Sequence, residues 1–336
     1  MSVSTVSIGI VGLRNNGMMH ARGVVQLPGC RLAAVADVDD ERRAAAADLG
    51  DEVKQYADAA DLFADPAVEA VVLSLPNHLH APFSVAALQA GKHVLVEKPI
   101  AMAVSEAREM IAARDAAGKT LMVGMNQRFE PVHQAVKALV DDGVLGEVYA
   151  AKTSWLMCRV HDGLWGRGDW FLNKASAGGG PVIDLGVHRL DLALHLMGFP
   201  DAVSVDAVSW SVVGPEKARE RGKEYGIEDG GVALIRFANG ASLVLEASYF
   251  WNGLRDGPVT ELAGTRGGAL LAAECEVCRW AGDEPVAVPL EVDQSKSSSC
   301  VQHFVRVLRG EEALIPTAEQ GLASMAIIEA LYESAE

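Results

Sequence analysis

Through residue 125 the chain alternates short β-branched apolar runs with alanine-rich stretches of helical spacing. Strands are expected at 6–11, 31–37, 68–75, 93–96 and 120–124, with helices at 18–26, 40–49, 57–63, 82–90 and 104–117 between them. Runs that are apolar on both faces belong to a sheet covered on both sides, and strand–helix alternation makes that sheet parallel. Gly50, Gly91 and Gly118 fall just after three of the helices, where a left-handed residue closes the last turn. Beyond residue 125 the pattern changes. An amphipathic helix at 131–140 leads into long strands at 148–155, 202–213, 232–237, 241–250, 262–271 and 286–292, which read as an antiparallel sheet. Asn239 and Gly240 form the turn pair of one hairpin. Helices are expected at 301–309 and 319–334, and the charged, glycine-rich segment 214–230 reads as a surface loop.

A chain of 336 residues is long for one core and comfortable for two, so the change of pattern divides it into an N-terminal domain, 1–125, and a C-terminal α+β domain, 126–336. Half of it is apolar and 22% charged, a globular composition that excludes disordered and collagen-like classes. No apolar run reaches membrane-spanning length and the opening MSVSTVSIGIVG carries no positive flank, so a soluble cytoplasmic chain is expected. A formal charge of −16 repels phosphate backbones and anionic lipid, which removes nucleic acid and membranes from the expected partners. Cys30, Cys158, Cys275, Cys278 and Cys300 are odd in number and scattered, against a disulfide framework. Cys275 and Cys278 make one CxxC without a second pair, so no metal is expected and both read as strand residues.

The first strand runs into Gly12, Leu13, Arg14, Asn15, Asn16 and Gly17 and then into a helix. In that setting a glycine fingerprint holds a dinucleotide pyrophosphate against a helix N-terminus. Arg14 stands where a second glycine is usual; a phosphate bound by its guanidinium would return about 1.5–3 kcal/mol. Asp37, at the end of the second strand, is placed to bond both hydroxyls of an adenosine ribose. A 2′-phosphate beside it would be repelled by about 1 kcal/mol in water-like surroundings and about 4 at an effective dielectric of about 20. NAD is therefore favoured over NADP; Asp39 and Asp40 act the same way, and Arg14, Arg42 and Arg43 against it. SLPNHLH and VEKP also lie at strand carboxyl ends, where open α/β sheets bind ligands. They add Ser74, Pro76, Asn77, His80, Glu97 and Lys98 to the cofactor side.

In the second domain AGGGPVIDLGVHRLDLALHLMG sets three glycines before a helix on which Asp184, His188 and Asp191 recur at i, i+4 and i+7, on one face. A histidine with a carboxylate one turn away is oriented and tuned as a general base near neutral pH. Zinc ligation and a structural histidine are the other readings of this spacing, and the structural one is preferred for His195 and His303. Trp155, Trp165, Arg167, Trp170 and Lys174 precede the helix, where they could rim a sugar pocket or, for the tryptophans, belong to core.

With GLRNNGMMH, AVAD, SLPNHLH, GKHVLVEKPIA and GGGPVIDLGVHRLDLALHLMG in this order, the chain resembles the glucose-fructose oxidoreductase, inositol dehydrogenase and MocA family. The likeness continues through VGMNQRFEP and the closing helix. It implies an α/β protein: a Rossmann doubly wound parallel sheet, plus an α+β domain whose large open sheet is mainly antiparallel and pairs in homodimers or homotetramers. It also implies that Lys98 contacts the reacting hydroxyl, that Asp184 and His188 are the catalytic acid and histidine, and that Pro99 follows a cis peptide. Asn126, Arg128 and Trp170 join Lys98, Asp184 and His188 as expected substrate contacts. Arg14 departs from the family's fingerprint. The activity so implied is hydride transfer between NAD(P) and a secondary hydroxyl or keto group of a sugar, sugar derivative or polyol. A cofactor-sensing regulator and a redox-neutral NAD-dependent glycosidase or lyase are the rival readings.

Overall fold

The computed structural model describes residues 5–50, 52–158, 164–294 and 299–336. They group into two compact units: residues up to Met125 together with 299–322, and 126–294 together with Ala323–Glu336.

In the first unit β1 (Val6–Val11), β2 (Cys30–Ala36), β3 (Lys54–Tyr56), β4 (Ala70–Leu73), β5 (His93–Glu97) and β6 (Leu121–Gly124) form a parallel sheet in the order β3-β2-β1-β4-β5-β6. Helices α1 (Asn15–Gln26), α2 (Asp40–Ala45), α3 (Ala59–Ala64), α4 (His80–Gln89) and α5 (Val104–Ala117) connect the strands. Every residue of β4 and β6 is buried, the packing that a strand covered on both faces requires. Strand order reverses between β1 and β4, which opens a crevice at their carboxyl ends. The sequence pattern missed β3 because its three residues, Lys54, Gln55 and Tyr56, are polar or half-exposed at the sheet edge. The helix expected at 40–49 stops at Ala45 and continues as a 3-10 turn, Ala47–Leu49. Gly50, at φ +141 and ψ 142, lies outside the left-handed helical region and is not the cap expected of it; Gly91 and Gly118, at φ +75 and +60, keep that role.

The second unit begins with α6 (Pro131–Asp141). Its sheet contains β7 (Val148–Leu156), β8 (Ala202–Trp210), β9 (Gly230–Phe237), β10 (Ser242–Ser248), β11 (Gly257–Gly264), β12 (Gly267–Leu271), β13 (Cys275–Ala281) and β14 (Glu284–Ala287). The order is β14-β13-β12-β11-β7-β10-β9-β8, antiparallel except where β7 and β10 pair in parallel. Leu243, Leu245 and Ala247 of β10 are buried while Ser242, Val244 and Glu246 are half-exposed, so one face forms core and the other stays open. Helices α7 (Lys174–Ala177), α8 (Val187–Met197) and α9 (Gly214–Glu220) complete this part, with α8 packed on β7.

Two expectations need correction here. The strand expected at 262–271 is a hairpin, β11 to β12: Gly264, Thr265, Arg266 and Gly267 break the apolar run and turn the chain back. The segment 214–230 is not all loop: α9 forms in it, with proline in its first turn and the buried Asp229 carboxylate accepting from the N–H groups of Val212, Val213 and Gly214. Cys275 and Cys278 both lie on β13, where a spacing of three sends their side chains to opposite faces.

Two helices close the chain, α10 (Cys300–Leu308) and α11 (Ala318–Ala335). The C-terminal domain expected as an unbroken 126–336 is interrupted, because 299–322 groups with the first unit. There α10 packs on α1, Arg309 donates to the Gly29 carbonyl, and Arg114 pairs with Glu319 at 2.7 Å. No helix among the described residues is long and apolar enough to cross a membrane.

Candidate functional site

The glycine loop is shaped by two close approaches. Gly12 leaves β1 at φ +86, and a Cβ there would stand 2.1 Å from the Ser74 carbonyl oxygen. A Cβ on Gly17, in the first turn of α1, would stand 1.7 Å from the Gly12 carbonyl oxygen. Arg14 needs no glycine's freedom: as the residue before α1 it has φ −67 and ψ 178, extended backbone open to any side chain. Its side chain is exposed, as are Asn15 and Asn16 at the head of a helix whose first N–H groups have no helical acceptor. Asp37 Oδ2 accepts from Leu13 N at 2.7 Å and Oδ1 from Asp39 N at 2.9 Å, so this carboxylate braces the loop. Each oxygen retains acceptor capacity for a ribose hydroxyl. Arg42 stands 3.6 Å from Asp37, and Arg43 donates to the Asp37 carbonyl. A tight loop, a helix N-terminus and an acid at the next strand end fit a dinucleotide.

At the end of β4 Ser74 and Pro76 are half-buried, and Asn77 opens a 3-10 turn, Asn77–Leu79. His80, expected on the cofactor side, has no exposed surface; its ring lies 2.7 Å from the Pro99 carbonyl and 2.9 Å from that of Leu75. It braces the loops without presenting an atom to a ligand. Glu97 ends β5 with its carboxylate 2.6 Å from His20 Nε2. His20 had no assigned role; its one signal was a polar side chain on the buried stripe of α1 with Gly17, Ala21 and Val24. Lys98 is half-buried and joined to Pro99 by a cis peptide, as the resemblance implied.

In the second unit Asp184 lies in a π-helical turn, Val182–Gly186, that runs into α8. Asp184 and Asp191, expected with His188 on one face, are held by different partners. Asp184 Oδ2 accepts from Tyr249 Oη at 2.8 Å and lies 3.5 Å from Arg167. Asp191 takes both ends of the Arg128 guanidinium at 2.6 and 2.7 Å, with the two side chains 1% and 0% exposed. Arg128, expected at the substrate, is thus committed to an internal ion pair. Burial and the Asp184 charge push Tyr249 well above its ordinary pKa and keep it a donor. His188 is half-buried, its ring centroid 5.9 Å from that of Trp155. The guanidinium of Arg167 lies 4.8 Å from the Phe171 ring centre.

The glycines ahead of Asp184 make room for a cap. Glu228 accepts from Gly180 N at 2.8 Å, from Val182 N at 3.1 Å and from Tyr332 Oη at 2.9 Å. A Cβ on Gly179 would stand 2.0 Å from Tyr332 Oη, and one on Gly180 2.3 Å from the Glu228 carbonyl oxygen. Asn126 is exposed at the head of a 3-10 turn, and Trp170, half-buried and edge-on to Phe171, lines a cavity of about 960 Å³ with Arg221, Lys223 and Tyr225. His195 is held neutral: burial and Arg128 push its pKa down to about 3. His303 is engaged, with Glu312 at 2.5 Å and Ile315 N at 3.3 Å.

A doubly wound sheet with a glycine loop at its switch point, followed by an open-sheet unit carrying an Asp–His helix, defines a dinucleotide-binding oxidoreductase of two-domain type. Residues 6–125 match the oxidoreductase family with an NAD-binding Rossmann fold, and 133–270 match the GFO/IDH/MocA C-terminal domain. The chain is 34% identical over 277 residues to D-glucoside 3-dehydrogenase of Escherichia coli, spanning 80% of this chain and 77% of that one. It is 30% identical over 358 residues to inositol 2-dehydrogenase 1 of Saccharopolyspora erythraea, spanning 99% and 94%. The solved structure of a levoglucosan dehydrogenase in complex with NADH superposes with a TM-score of 0.86 over 99% of this chain and 97% of that one; at 23% identity this is a likeness of fold. The protein belongs to the Gfo/Idh/MocA family of oxidoreductases, and its first unit is the family's NAD-binding domain.

Proposed function

We propose that the protein oxidises a secondary hydroxyl of a sugar, sugar derivative or polyol with NAD, or reduces the corresponding ketone. The observation that carries this reading is the fixed carboxylate of Asp184, held by Tyr249 and Arg167 at the head of the helix bearing His188. The relatives named for D-glucoside and inositol oxidation supply the substrate class.

Bound NAD supplies the hydride acceptor. Gly12, Leu13, Arg14, Asn15, Asn16 and Gly17 hold its pyrophosphate at the head of α1, Asp37 bonds the ribose, and Ser74, Pro76, Asn77 and Glu97 line the remainder. Lys98 donates to the substrate oxygen and stabilises charge developing there. His188 takes the hydroxyl proton, and Asp184 favours the imidazolium so formed. Asn126 and Trp170 contact the sugar, while Arg128 serves through Asp191 by holding α8. The exposed Tyr149, Leu270 and Trp280 on the sheet support homodimers or homotetramers, and a cytoplasmic setting suits a soluble nicotinamide cofactor.

The test mixes the protein with NAD and a panel of D-glucosides, inositols and anhydrosugars and follows reduced-nicotinamide absorbance. Growth of that band with one of them is the expected result. Sugar cleavage without it assigns the redox-neutral reading, and NAD binding with every sugar unchanged assigns the sensor.

A further inference from the structure

His80 meets a backbone carbonyl oxygen with each ring nitrogen: Pro99 with Nδ1 at 2.7 Å and Leu75 with Nε2 at 2.9 Å. Carbonyl oxygens only accept. A neutral imidazole has one N–H, and would turn the lone pair of its other nitrogen on a carbonyl lone pair at bonding distance, in a position with no exposed surface. The imidazolium alone satisfies both contacts. Charged groups that act on the ring are Glu97 and Lys98 at the end of β5, of opposite sign; His20 of α1 reaches it through its bond to Glu97. Helix α4 has no charged residue of its own, and α5 supplies none that acts on it. Burial opposes the charge and pushes the pKa down, against the pull of both carbonyls and Glu97. The same burial raises the cost of an unmade bond, because a nitrogen lone pair facing a carbonyl there has no water to turn to.

We propose that His80 is doubly protonated in the folded protein and is the positioning residue for Lys98, tying the carbonyl of the following Pro99 to the end of β4. Leu75 follows Ser74, whose carbonyl abuts Gly12, so one side chain joins the lysine loop to the glycine loop. The catalytic consequence rests on the role given to Lys98 above; the protonation does not.

Nuclear magnetic resonance of the full-length protein labelled with nitrogen-15 in its histidine rings, with the His80 signals assigned by their loss in His80→Asn, reads the protonation directly. Two proton-bearing ring nitrogens from neutral to mildly alkaline pH are expected, and one bare nitrogen at neutral pH overturns the proposal. With the sugar found in the panel above, His80→Gln should lower kcat about 10- to 100-fold while NAD affinity stays within about twofold. In a Lys98→Ala background that loss should largely disappear; an equal loss in both backgrounds overturns the positioning role. Wild-type turnover by Lys98→Ala alone sinks the proposed function, while the ring spectrum still decides the state of His80.

Discussion

A single methyl group is enough to probe the nucleotide loop. In Gly17→Ala the new carbon meets backbone, the Gly12 carbonyl oxygen at 1.7 Å, so loop or helix must shift. NAD should bind about 10- to 100-fold more weakly, as displacements near 1 Å at a preorganised site cost; calorimetric titration showing unchanged affinity would contradict the cradle. At Asp191 the question is charge. Asp191→Asn leaves the Arg128 guanidinium buried without its counter-ion and should destabilise the protein by about 3–5 kcal/mol in urea unfolding, more than replacing both partners with apolar residues. The tight turn at Gly12 and Gly17 was legible because their spacing along the chain carries its meaning. Tyr249 and Glu228 were not: Tyr249 is 65 positions from Asp184 and Glu228 48 from Gly180, so the packing of the sheet unit, which no local pattern reports, makes them partners. His20 and Glu97 are 77 apart for the same reason.

Among the elements, the buried parallel strands were readable and the edge was not, because β3 owes its place to pairing with β2 and to Asp65. Asp65 binds Lys54 Nζ at 2.8 Å, Tyr56 Oη at 3.0 Å and Ala67 N at 2.9 Å, and the Lys54 ammonium foremost lowers its pKa from 3.8 to about 2. A depressed folded pKa stabilises above the unfolded value and is lost as pH falls through the folded one. Asp65→Asn should therefore lower Tm at neutral pH, with the gap to wild type narrowing as pH falls from 3.8 toward about 2. A gap in scanning calorimetry that ignores pH over that range would remove Asp65 as the tie. The hairpin β11–β12 and helix α9 escaped for a different reason: the two short apolar runs flanking Gly264 to Gly268 read as one strand when the turn signal between them is passed over, and α9 depends on Asp229, a cap supplied from beyond its own end.

For the molecule as a whole, the change of pattern near residue 125 located one boundary, and the return of 299–322 to the first unit was hidden because α10 looks like any amphipathic helix. The charge of −16 leaves phosphate binding to local devices, the role proposed above for the tight loop from Gly12 to Gly17. The proposal that Lys98 donates to the substrate oxygen while His188 takes its proton is tested most directly by single-turnover formation of NADH in Lys98→Ala and His188→Ala, with NAD affinity measured alongside. Each substitution should slow that step by about 100- to 10,000-fold and leave NAD affinity within about twofold. A wild-type rate in either variant would contradict the account.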